Sequence, residues 1–156
     1  MAFLTTVVSE HAVLANGFGK ILLLFHRHHN KENADEYKLP GGRMEENDEA
    51  KQALLREIKE ETGLTRVKII LPVHTSMWDP SYRRYSVIYL ARSYGDEPVV
   101  LQKAEAASYR WVSWDEAEAM KPGSKTFIGR NFYLGIAKAR QVYALKGIEE
   151  LNALES

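Results

Sequence analysis

Glu57, Glu60 and Glu61 stand at i, i+3 and i+4, a spacing that places three carboxylates on one side of a helix. At ~100° per residue, Ala50, Ala53 and Leu54 fall within roughly 60° of Glu57, on the same side. An amphipathic helix ordinarily keeps its acids opposite its apolar stripe. Acids gathered where the helix meets protein repel one another and lose solvation unless protonated, paired or neutralised by a metal. Hard divalent cations such as Mg²⁺ take oxygen ligands and share them with substrate phosphates. The chemistry expected here is therefore that of a metal–phosphate site. Gly41 and Gly42, just upstream, lack side chains and let the backbone approach a phosphate or a metal closely.

These acids need a loop and a helix to hold them. Leu39-Pro40-Gly41-Gly42 breaks any preceding helix. Asn47 is the expected N-cap and Gly63 the expected C-terminal stop, so the helix is expected from Asp48 to Thr62. Upstream, residues 3–15 read as a strand, Asn16-Gly17-Phe18-Gly19 as a hairpin turn, and residues 20–26 as a second strand buried on both faces. Residues 26–38 read as a polar loop. Downstream, residues 67–77 and 84–93 read as strands joined by a turn at Asp79-Pro80-Ser81, and 109–112 as a short strand. Ser113 and Glu116 form a capping box for a short helix. Phe132, Ile136, Ala139, Val142 and Tyr143 recur at helical spacing, predicting a long helix over residues 130–152. Trp111 reads as core. Strands and helices without strict alternation imply an α+β fold, an α/β/α sandwich around a mixed sheet.

Composition narrows the function. The 156 residues fit one domain, and 45% hydrophobic content supports a real core. Lys plus Arg equals Asp plus Glu, at 21 each, which argues against a dedicated nucleic-acid binder. With no cysteine, disulfides, thiolate metal sites and a cysteine nucleophile are excluded. The N-terminus lacks a basic signal-peptide region, and the apolar run from Ile21 to Phe25 is too short to span a bilayer. A cytoplasmic protein that does not engage membranes is expected, and a homodimer is compatible with the sequence.

The run from Gly42 to Leu64 resembles the Nudix box of MutT-like hydrolases, Gly-x5-Glu-x7-Arg-Glu-U-x-Glu-Glu-x-Gly-U, with U a bulky aliphatic residue. Gly42, Arg56, Glu57, Ile58, Glu60, Glu61, Gly63 and Leu64 match in register, and Asp48 stands in place of the first glutamate. The resemblance implies a Nudix sandwich, with the box as a loop–helix–loop. It further implies that Glu57, Glu60 and Glu61 hold Mg²⁺, for which Mn²⁺ substitutes, with a backbone carbonyl at Gly42 joining the metal shell. Asp48 and Arg56 become structural supports. Asp48, being shorter than glutamate, is expected to make a strained or water-bridged contact with Arg56, with Glu49 as a substitute. Glu60 or the loop residue Glu105 is the expected general base, with Glu97 a further candidate and Glu57 in the catalytic set.

The activity implied is Mg²⁺-dependent hydrolysis of the pyrophosphate bond of a nucleoside diphosphate linked to another group. Pro80 sits where ADP-ribose hydrolases of the family carry a proline, and Tyr82 near a tyrosine of diadenosine polyphosphate hydrolases. ADP-ribose or a sugar nucleotide is favoured. Nucleoside triphosphates, including oxidised ones, and dinucleoside polyphosphates are the alternatives, and a catalytically silent nucleotide-binding module is the reading from a different class. Arg27, Trp78, Tyr82 and Arg84 are candidate substrate contacts: arginine grips a diphosphate and an exposed aromatic stacks a base.

Overall fold

The computed structural model describes residues 1–3, 5–26, 35–78, 83–102 and 106–145, with only the backbone of Trp78. The chain runs β1 (Val7–Ala15), β2 (Ile21–His26), β3 (Asp35–Lys38), β4 (Gly41–Arg43), α1 (Ala50–Thr62), β5 (Val67–Trp78), β6 (Arg84–Ser93), β7 (Ala106–Val112), α2 (Trp114–Ala119), β8 (Thr126–Ile128) and α3 (Arg130–Tyr143).

The strands form one mixed sheet in the order β5-β6-β1-β2-β3-β8, with β4 also paired to β1 and β7 to β2. β1 runs parallel to β6, and β3 parallel to β8; the other pairs are antiparallel. Period-2 alternation divides the apolar residues of β1 and β2 between two layers. Val13, Ala15, Ile21 and Leu23 pack under α2 and α3 with Ala117, Ile136 and Ala139. Ala12, Leu14, Leu22 and Leu24 pack under α1 with Leu54 and Ile58. Ile21 through Leu24 are wholly inaccessible, as expected of a strand covered on both faces. The result is the expected α/β/α sandwich.

Several expectations need correction. Residues 35–38 form β3 inside the stretch read as loop, and the glycine breaker itself contributes β4. β8 was not foreseen. Helix α3 ends at Tyr143 with Ala144 as its C-cap, and the part of the expected helix from residue 146 onward lies outside the described residues. Trp111 is partly buried against the α1 layer. The capping box of α2 forms as expected: Ser113 Oγ accepts from Glu116 N, and the Glu116 carboxylate accepts from Ser113 N.

Candidate active site

Two glycines fix the entry to α1. β4 pairs with β1 so that Gly42 lies opposite Glu10 and Gly41 opposite His11. Gly41 has φ +149°, and a Cβ there would fall 2.1 Å from the Glu10 carbonyl oxygen. A Cβ on Gly42 would fall 2.6 Å from Glu57 Oε2, so the Glu57 carboxylate lies directly against this backbone. The glycine turn thus acts as a cradle for one of the box acids.

The loop between turn and helix differs from expectation in its cap. Asn47 adopts φ +68° and turns the chain instead of capping the helix. Glu49 is the N-cap, accepting from Lys51 N and Gln52 N. It therefore does not brace Arg56. Asp48 does so, without strain or intervening water: Arg56 Nη1 donates to Oδ1 at 2.8 Å and Nη2 to Oδ2 at 3.0 Å. Asp48 Oδ2 also accepts from Glu45 N at 2.7 Å, tying the loop to the helix. The Arg56 guanidinium and that backbone donor hold the Asp48 carboxyl at about 2, below its usual 3.8. A depressed acid stabilises the fold above its unfolded pKa, so the brace holds at neutral pH and is lost as the pH falls from 3.8 through about 2.

Asp48→Ala and Arg56→Ala are expected to reduce activity to similar extents by misplacing the loop, and the double variant to be little worse than either. Fully additive losses in kcat/KM would show that the two residues act separately.

The box acids differ in setting. Glu61 is 7% exposed, Glu57 is half-buried and Glu60 is exposed. Gly63 closes the helix in the left-handed conformation expected of it, its N–H donating to the Lys59 carbonyl. Among the described residues no three acidic or histidine side chains converge closely enough to cage an ion alone. Mg²⁺ seldom uses such a cage; it binds one or two carboxylates and completes its shell with water and phosphate. An all-oxygen donor set on one helix face, with Glu57 seated against the Gly42 backbone, fits that kind of ion.

A cavity of about 500 Å³ opens beside the turn, within the size range of small-molecule sites. Gly41, Gly42 and Glu61 form one wall. Lys38, Arg43, Arg84 and Arg130 bring positive charge, and Ser9, Ser86, Asn131 and Phe132 are polar and aromatic elements of the lining. His11 also lines it, its ring tilted against Phe132 at 4.7 Å between centroids. Burial, reinforced by Lys38 and His26, pushes the His11 imidazole down to about 4, so it is neutral at physiological pH.

Of the residues singled out from sequence, Gly42, Glu61 and Arg84 line this cavity, and Glu57 contacts its glycine wall. Glu60 is on the exposed surface of the same helix and is not part of the lining. Asp48 and Arg56 pair with each other between the loop and the helix beside it. Arg27, Pro80, Tyr82 and Glu105, and the side chain of Trp78, lie outside the described residues. Glu97 is committed elsewhere: it accepts from Thr65 N, Thr65 Oγ1 and Arg66 N, pinning the loop after the box. Sequence reasoning missed Ser9, His11 and Ser86, whose signal is a polar residue on alternate positions of an apolar strand. Phe132, read from sequence only as part of the helical repeat of the last helix, also lines the cavity.

Glu10 is a further unforeseen acid. It is 2% exposed on the α1 side of β1, and its Oε2 has no hydrogen-bond partner. Burial raises its pKa from 4.5 to about 7; a hydrogen bond with Tyr89 opposes the shift, and Glu49 and Asp48 add to it. The folded chain therefore holds this proton more tightly than the unfolded one. That contribution is full below 4.5 and is lost as the pH rises through about 7. Glu10→Gln is expected to gain on the order of 2–3 kcal/mol relative to wild type between about pH 5 and about pH 8. Thermal melts at the two pH values check this, and a pH-independent difference would contradict it.

Comparison with known proteins agrees with the geometry. A MutT protein from Methanosarcina mazei Go1 superposes with a TM-score of 0.70 at 22% identity, covering 92% of this chain and 100% of that one. An ADP-ribose pyrophosphatase from Streptococcus suis 89-1591 gives 0.67 at 21% identity, covering 91% and 95%. The NUDIX domain of Shewanella oneidensis NrtR, in complex with ADP ribose, gives 0.66 at 22% identity, covering 91% of each chain. At these identities the likeness is one of fold. No curated protein matches the sequence. No helix among the described residues is long and apolar enough to cross a membrane. The model of the NUDIX domain matches residues 6–132, from the first strand through the box to the cavity-lining start of α3, and the chain accordingly belongs to the NUDIX family of hydrolases.

Proposed function

We propose that the chain is a Mg²⁺-dependent pyrophosphohydrolase of a nucleoside diphosphate linked to a second group, with ADP-ribose or a sugar nucleotide as its substrate. The observation that carries this reading is the cavity. One space of about 500 Å³ joins the box wall of Gly42 and Glu61 to four cationic side chains and an aromatic one. Such a space suits a ligand with a diphosphate in its middle and less charged groups at its ends. ADP-ribose figures in the descriptions of two structural neighbours, which supports that choice of substrate.

Glu57, Glu60, Glu61 and the Gly42 carbonyl would hold the cation, and Mn²⁺ is expected to replace Mg²⁺. When bound, such an ion neutralises diphosphate charge and lowers the pKa of water. Arg84, Arg130, Arg43 and Lys38 orient the phosphates and offset their charge. Glu60, exposed to solvent on α1, takes the proton of the attacking water; Glu105 is the second candidate for that role. The Asp48–Arg56 brace sets the angle at which α1 presents its acids. Retention of all three box acids favours an enzyme over a silent binding module.

The test is a substrate panel in Mg²⁺: ADP-ribose, sugar nucleotides, dinucleoside polyphosphates and nucleoside triphosphates. The expected result is highest kcat/KM on ADP-ribose or a sugar nucleotide, with release of a nucleoside monophosphate. Preference for a triphosphate would move the assignment to the nucleoside triphosphate alternative, and binding without turnover to the silent module.

A further inference from the structure

The cavity floor carries a feature that box chemistry does not use. Ser76, Ser86 and Ser9 are lateral partners across β5, β6 and β1, and so project from one face of the sheet as a row. Neighbouring strands are about 4.8 Å apart, so the row presents hydroxyls at regular intervals. One step inward along the strands come His74, Ile88 and His11, and beyond them the apolar core residues Leu90 and Val13. One step outward lies Arg84. Polarity is thus graded, from cation at the rim through hydroxyl and neutral imidazole to hydrocarbon.

This row is costly to the fold. Ser86 is 2% and Ser9 6% exposed, and both line the cavity. Among the described residues no hydrogen bond ties down either hydroxyl. On either side of them, Ser76 Oγ and His11 Nδ1 are buried without a partner. Buried polar groups are nearly always satisfied, and a cluster that is not calls for a ligand or ordered water to complete it. Buried strand positions favour β-branched and aromatic residues, whose packing a serine does not match.

We infer that the Ser9–Ser86 row, with His11 beside it, reads the hydrogen-bonding edge of a nucleobase and is the specificity-determining surface of the site. Hydroxyls and a neutral imidazole both donate and accept, as a base edge requires. Phe132, packed on His11 in the same cavity, supplies an aromatic wall for the base, while the cations at the rim take the phosphates. The inference deepens the proposed function and rests on its placement of a nucleotide in this cavity.

The test is binding without turnover. The four common nucleoside 5′-monophosphates and ribose 5-phosphate are titrated calorimetrically into full-length protein, wild type and Ser9→Ala/Ser86→Ala, with no divalent metal. At least one monophosphate is expected to bind about tenfold or more tighter than ribose 5-phosphate, and the double variant to lose about tenfold of that preference. The melting temperature of the variant is expected to be unchanged or raised, since the hydroxyls removed had no protein partner. Ser86→Thr, which keeps a hydroxyl, is expected to retain more of the preference than Ser86→Ala. Equal binding of monophosphates and ribose 5-phosphate would overturn the inference. So would a parallel loss for ribose 5-phosphate, which would assign the row to the sugar, or unchanged monophosphate binding in the double variant. Normal monophosphate binding through the row with no hydrolysis across the substrate panel would overturn the proposed function and leave this inference standing.

Discussion

Glu60→Gln is expected to lower kcat by about 10²-fold or more on the best substrate while the protein stays folded. The substitution keeps the shape of the side chain and removes its charge. Glu60 is exposed on α1, so the exchange falls among surface substitutions, most of which change stability by about 0.5 kcal/mol or less. Whatever activity is lost then reports on chemistry. Steady-state kinetics with a matched thermal melt checks this. Wild-type turnover in the variant would remove Glu60 from both of its proposed roles and leave Glu57, Glu61 and Glu105 to fill them.

Gly41→Ala is expected to be the most damaging single change for the fold around the site. The residue adopts φ +149°, a region open to glycine and strained for other residues by about 1–3 kcal/mol. A Cβ would also lie 2.1 Å from the Glu10 carbonyl oxygen and 2.6 Å from His11 Cα. Both contacts are backbone, so no side-chain rotation relieves them, and β4 must leave β1. A loss of about 3 kcal/mol or more in denaturant melts is expected, together with loss of activity. A variant that melts with wild type would show that the β1–β4 pairing is not as described.

The box was legible because its chemistry and its helix share one local period. Three acids at i, i+3 and i+4, a glycine turn before them and a left-handed glycine after them all lie within residues 41–63. The cap falls on Glu49 and not on Asn47 although both carry capping oxygens, and the φ of +68° that disqualifies Asn47 has no signature in residue type. Strands β3, β4 and β8 are three or four residues long, too short for alternation to register.

The cavity floor was illegible for a different reason. Ser9 and Ser86 become neighbours only through the parallel pairing of β1 with β6, which joins distant parts of the chain. Phe132 fits the apolar stripe of α3, and nothing local separates the turn of that stripe facing a cavity from those facing the core. Side-chain length alone predicts a strained or bridged Arg56–Asp48 contact. The loop moves the Asp48 backbone close enough for a two-pronged bond, which length could not reveal.

The central claim is that hydrolysis at this cavity depends on a divalent cation held by the acids of α1. The most direct measurement is product release from the best substrate of the panel, first in excess chelator and then after adding back metal. No turnover in chelator is predicted, with recovery on addition of Mg²⁺ or Mn²⁺, as an all-oxygen donor set requires. Full turnover in chelator would contradict the claim.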